Sequence, residues 1–236
     1  MKRKLLFISL FFLIFFSSCS LLNLQTKSEK EIILEQLGVN CINQSKSTDV
    51  EYLIKINRIQ IFTDKGIDCS LIERLKIYDG KKYGAIIQFE NKPTKIDIEN
   101  LKAENITISS PIREKALLVL IPNDVTILSR IQNKSEIRWI GLLPAEAKMQ
   151  LALKNQISKN IEDNSTIYLN VMFLDGITKA EAESIIQSYN GKCMGYVSVI
   201  NSCSTEISRK EIINLANDLN VNWIEIMMPS TSFANE

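Results

Sequence analysis

The chain has 236 residues, 28 basic and 27 acidic side chains, a formal net charge of +1 and no histidine. Without histidine there is no Ser-His-Asp or Cys-His nucleophile system and no His-ligated zinc. The near-neutral balance gives no electrostatic footprint for nucleic acid, and no GxGxxG or GxxxxGK[ST] phosphate loop occurs among the eight glycines.

Lys2, Arg3 and Lys4 form a basic head, and 5–16 is apolar except for Ser9. About 20 apolar residues are needed to span a bilayer, so this stretch is too short. It has the layout of an export signal. Phe16-Ser17-Ser18-Cys19 resembles a lipobox, in which small residues precede an acylated cysteine. Phe16 departs from the usual Leu or Val. The resemblance implies a bacterial lipoprotein, with residues 1–18 removed and lipid on Cys19. The alternative is an ordinary signal peptide with an incidental cysteine. The implied address is exported, on the cell membrane or the outer membrane. Ser20 after the cysteine, with no Asp, favours the outer membrane. Residues 19–28 read as a tether.

From Cys19 to Glu236 the chain has 218 residues and a net charge of −2, since Lys2, Arg3 and Lys4 are lost. Cys41, Cys69, Cys193 and Cys203 remain. Four cysteines in an exported chain suggest two disulfides; the alternative is free buried thiols. No CxxC spacing points to a metal. Residues 29–82 read as a small α/β subdomain. Ser28 and Glu31 form a capping box, Gly38 stops a short helix, 51–62 is strand and 68–75 is helix. Cys41–Cys69 is the pair that would close it.

Residues 83–141 and 167–225 match at a fixed offset of 84, without gaps. Phe89 aligns with Phe173, Thr94 with Thr178, Lys95 with Lys179, Glu99 with Glu183, and Trp139-Ile140 with Trp223-Ile224. Each repeat opens on an apolar strand, 85–89 or 167–173. A helix follows, 95–104 or 178–189, the second begun by a Thr178/Glu181 capping box and ended at Asn190-Gly191, with glycine in the left-handed position. Two strands come next, 106–112 and 116–121, or 192–197 and 202–207. Asp124 and Ser208 are candidate N-caps for a second helix with apolar residues at helical spacing. The last strands, 137–142 and 221–227, carry the tryptophans.

The order βαββαβ, twice, predicts an α+β protein of two tandem ferredoxin-like units, 83–143 and 166–228. Each is an antiparallel four-stranded sheet with helices on one face and the other face free for a partner. Residues 144–165 link them and are helical near 145–153, and 229–236 form a tail. Cys193 and Cys203 fall on a predicted hairpin, opposite each other about a turn near Ser198, and are expected to bridge. Phe89, Phe173, Trp139 and Trp223 are the expected core anchors.

The closing segments Ser135–Pro144 with Lys148-Met149, and Asn222–Glu225, resemble the tandem prodomain units of subtilisin-type secreted peptidases, including the fervidolysin-type prodomain. The resemblance covers residues 82–228, about two thirds of the mature chain. Pro144 is displaced from its usual place. No catalytic domain follows, so the resemblance implies a non-enzymatic, inhibitor-like or chaperone-like protein with no cofactor, metal or small-molecule substrate. It implies a tail that lies extended in a peptidase cleft: Met228, Pro229, Phe233 and Glu236. Plain terminal disorder is the other reading of that tail. The expected partners are the bilayer and a serine peptidase. The competing function is a surface binding or scaffold lipoprotein that contacts envelope or host proteins.

Overall fold

A computed structural model describes residues 34, 41–42, 48, 50–113, 115–158 and 164–227. Cys19, the Ser28/Glu31 box, Gly38 and the segment 228–236 lie outside the described residues. Among the described residues the fold is mixed α and β, with three sheets.

The strands are β1 (Cys41–Ile42), β2 (Ile54–Ile56), β3 (Ile59–Ile61), β4 (Gly66–Asp68), β5 (Lys82–Phe89), β6 (Thr107–Ile112), β7 (Ala116–Pro122), β8 (Ile137–Gly141), β9 (Thr166–Phe173), β10 (Lys192–Val197), β11 (Ser202–Ser208) and β12 (Val221–Ile226). The helices are α1 (Cys69–Ile77), α2 (Lys95–Ala103), α3 (Val125–Gln132), α4 (Leu151–Ile157), α5 (Lys179–Ser188) and α6 (Ile212–Ala216). Both expected strand–helix–strand–strand–helix–strand runs are present, β5 to β8 and β9 to β12. In both, the spatial order is fourth, first, third, second: β8-β5-β7-β6 and β12-β9-β11-β10.

The first sheet is not four-stranded. β4 pairs in parallel with β8, and β1 with β4, so the sheet has six strands and is mixed. Residues 66–77 therefore belong to this layer, and Leu71, Ile72 and Leu75 of α1 enter its core. Nor does the sheet keep a free face. Tyr83, Ala85, Ile87 and Phe89 pack with α1, α2 and α3, whereas Ile86, Leu118, Leu120 and Trp139 share a core with Ile54, Met149 and Leu174. β7 is buried at six successive positions, 116–121. Continuous apolar runs of this kind mark strands covered on both sides.

The expected strand at 51–62 is a hairpin, because Asn57 (φ 46°) and Arg58 (φ 72°) take the left-handed turn between β2 and β3. The hairpin lies on the second face of the first sheet. Below it, Gln88 Nε2 donates to the Tyr52 carbonyl (2.9 Å) and Thr63 Oγ1 donates to Gln88 Oε1 (2.5 Å), which satisfies a buried amide.

The expected linker is a packed element. Residues 145–148 form a 3-10 turn, Met149 bridges Ile224 in parallel, and the Gln150 N–H donates to the Ile224 carbonyl at 2.9 Å. Ala147, Met149, Leu153 and Ile157 are buried. α5 ends on Asn190 in the left-handed conformation (φ 57°), not on Gly191. Asp124 caps α3, whereas Ser208 makes no side-chain cap and opens a 3-10 turn.

Candidate partner-binding surface

The second sheet behaves differently from the first. β9 alternates buried and open residues: Ile167, Leu169, Val171 and Phe173 point at α5 and α6, while Tyr168, Asn170 and Met172 point away. The outward row continues on neighbouring strands through the register Glu206↔Tyr168, Ser204↔Asn170 and Trp223↔Met172. Nothing among the described residues caps the Tyr168 end of this face, where Tyr168 is 49% exposed and Met227 36%. The middle is a polar network: the Trp223 Nε1–H donates to Glu225 Oε2 (3.2 Å), Asn170 Nδ2 to Glu225 Oε1 (3.5 Å) and Ser204 Oγ to Asn170 Oδ1 (3.4 Å). The face can take a partner through aromatic and thioether contacts at its rim and directional hydrogen bonds at its centre.

Of the expected anchors, Phe89, Phe173 and Trp139 are buried. Trp223 is only half-buried and lies on the outward face. A bulge between Val221 and Trp223 shifts the register. Val221 and Ile224 then fill the core and the indole is turned out.

Both expected disulfides form, Cys41–Cys69 with Cα atoms 4.7 Å apart and Cys193–Cys203 at 5.8 Å. The second is not between directly opposed residues. Cys193 faces Thr205, Cys203 faces Tyr196, and the bulge at Met194 sets the bridge diagonally. The hairpin tip is a 3-10 turn at Ser198–Ile200 closed by Asn201 (φ 46°).

The two halves meet along a polar seam that the sequence pattern did not reveal. Residues 217–220, between α6 and β12, dock on the first half. The Gly84 N–H donates to the Leu219 carbonyl (3.0 Å), Asn220 Nδ2 to the Tyr78 hydroxyl (2.7 Å), and Arg74 Nη2 to the Asn217 carbonyl (3.1 Å). Lys148, 2% exposed, donates from Nζ to the Asp218 carbonyl at 2.6 Å. Burial lowers its pKa to about 8, with Asp218 opposing the shift and Arg74 adding to it. The Tyr189 hydroxyl donates to Asp218 Oδ2 at 3.1 Å. Burial, then the Asp218 charge, raises Tyr189, and the same two causes raise Tyr78 to about 12. A lysine inside the predicted linker was the one available signal, and a solvent-facing position is its common fate.

Beside the seam, a half-open cleft of about 690 Å³ has Trp139, Leu142, Leu143 and Met149 in its wall, with Arg74 and Lys154 also lining it. Arg74 and Lys154 are each hydrogen-bonded to a backbone carbonyl. Among the described residues no group of three His, Cys, Asp or Glu side chains is placed to hold a metal ion, and no helix is long and apolar enough to cross a membrane. No protein-family model matches the chain, no curated protein is similar to it, and no solved structure matches it.

Proposed function

We propose that this chain is a non-enzymatic, lipid-anchored binding protein whose two halves are ferredoxin-like, prodomain-like units. Its second unit engages a protein partner, and a subtilisin-like serine peptidase fits the resemblance best. The observation that carries this reading is the one-sided second sheet. Its helices cover one face, and the other leaves Tyr168 and Met227 exposed beside a hydrogen-bonding centre, while Met172 and Trp223 border a cleft against the first half. β12 is the last described strand and leads into 228–236. An extended segment there would bind by main-chain hydrogen bonds. The first unit, closed on both faces, serves as a platform.

The test is inhibition of subtilisin-like peptidases by the purified protein. Inhibition should weaken at least about tenfold on removal of 228–236, or on Tyr168→Asp with Met172→Asp, the loss expected when a central contact worth roughly 1.4 kcal/mol or more is deleted. Absence of inhibition, together with recovery of a non-peptidase envelope or host protein through the same face, would favour the scaffold reading.

A further inference from the structure

The β10–β11 hairpin carries the densest group of exposed apolar side chains among the described residues. Val199 is 92% exposed, Ile200 52%, Val197 48% and Met194 44%. From Cys193 to Thr205 there is no charged residue, and Lys192 and Glu206, which bracket this run, face each other in register. The hairpin is therefore polarised along its length, with charge at the base and an apolar tip. At about 3.3 Å per residue, the tip stands roughly 15 Å beyond the Lys192–Glu206 pair.

The tip is held rigid. The Cys193–Cys203 bridge fastens the two strands. The Tyr196 hydroxyl donates to Asn201 Oδ1 (2.6 Å), Asn201 Nδ2 to the Leu174 carbonyl (2.8 Å), and the Asn201 N–H to the Ser198 carbonyl (3.3 Å). The side chain and backbone N–H of Asn201 are thus paired internally and remain so in a dry environment.

We propose that this tip inserts into the interfacial region of the lipid bilayer to which Cys19 tethers the chain. The proposal rests on the lipid-anchor reading for its proximity to the membrane. Its shape selects the occupant. Two such tips meeting in a dimer would join four side chains from each copy, against the 20–30 residues a side of a stable interface. The run from Cys193 to Thr205 offers no charge to a polar protein surface, whereas a fluid interface closes around exposed apolar side chains such as Val199 at the end of the sheet. The tether permits it. Cys19 precedes Leu34, which is buried in the first core, by 15 residues. Fully extended, these span about 50 Å. Four aliphatic side chains give only marginal membrane binding by themselves, comparable with one acyl chain. The tip therefore orients a protein that the lipid retains, and fixes how the open sheet face is presented.

The experiment uses the full chain, purified in its processed form and reconstituted on phosphatidylcholine vesicles. One variant carries Val199→Trp, and a control carries Ile96→Trp on α2, where the native side chain is 68% exposed. The signal of the two native tryptophans is subtracted using the parent protein. On vesicles, the Val199→Trp indole should be quenched by brominated lipid and be about fivefold less accessible to iodide than the Ile96→Trp indole. Without vesicles both should be open to iodide. Equal iodide accessibility on vesicles overturns the proposal, and shielding of the Val199→Trp indole without vesicles overturns it in favour of a second copy. Mass spectrometry of the amino-terminal peptide reads acylation separately. An acylated chain with a bare tip sinks the tip proposal alone, and an unacylated chain whose tip is still shielded by lipid sinks the anchor alone.

Discussion

At the scale of single residues, the seam depends on how closely two backbones approach. Gly84 donates its N–H to the Leu219 carbonyl, and a Cβ at position 84 would collide with that carbonyl oxygen and with Leu174 Cδ1. The oxygen is backbone and cannot swing aside. Gly84→Ala should destabilise the protein by about 2–3 kcal/mol, the cost of overpacking a tight contact. Denaturant unfolding would check this, and an unchanged midpoint would mean that the two halves do not meet there. Such sites were not legible in the sequence. Gly84 reads as an ordinary glycine before an apolar strand, and its constraint comes from Leu174 and Leu219, 90 and 135 positions away. Trp223 shows the same limit. Its match with Trp139 predicted equal roles, and both strands carry the same bulge, which turns both indoles to the face away from the helices. That face is covered over Trp139, 4% exposed, and only partly covered over Trp223.

At the scale of elements, the agreement is close where the signal is local. Thr178 accepts from the Glu181 N–H (3.3 Å) while Glu181 accepts from the Thr178 N–H (2.8 Å), as the S/T-x-x-E pattern foretells. The Thr94/Asp97 pair repeats this arrangement with a shorter acid. Thr178→Ala should cost about 1 kcal/mol, seen as a lower thermal midpoint. No loss of stability would mean that the box contributes nothing net. The two-sided burial of the first sheet was also written in the chain. The run from Ala116 to Ile121 is apolar at every position, whereas its counterpart β11 interleaves Ser204 and Glu206 between buried residues. Reading both strands as equivalent members of a repeat hid that difference. The parallel pairing of β1 and β4 had no local signature, because strands of two and three residues are too short to show a period. The open face proposed for a partner was legible through the alternation in β9, and the apolar hairpin tip through its uncharged run.

At the scale of the whole molecule, the seam makes stability depend on pH in a way that surface charges do not. Lys148 has a folded pKa of about 8 against an ordinary 10.5, because burial penalises its charge. Between those values the unfolded chain holds a proton that the folded chain has released. Stability therefore rises with pH across that window. By pH 10 the gain is on the order of 2–3 kcal/mol over neutral pH, about two pKa units of linkage. The tyrosines act in the opposite sense. Burial raises Tyr78 to about 12 and lifts Tyr83 and Tyr189 further. Above about pH 10 the unfolded chain loses phenolic protons that the folded chain keeps, and stability falls as pH climbs. Urea midpoints from pH 7 to 11 should thus pass through a maximum near pH 10. Lys148→Met should abolish the rising limb and leave the falling one, since the thioether fills the site without a proton to lose. It should not weaken the protein greatly at pH 7, because it removes a buried charge together with one hydrogen bond. A flat profile between pH 8 and 10 in the parent protein would show that Lys148 stays charged and hydrated, and that the two halves do not close over it.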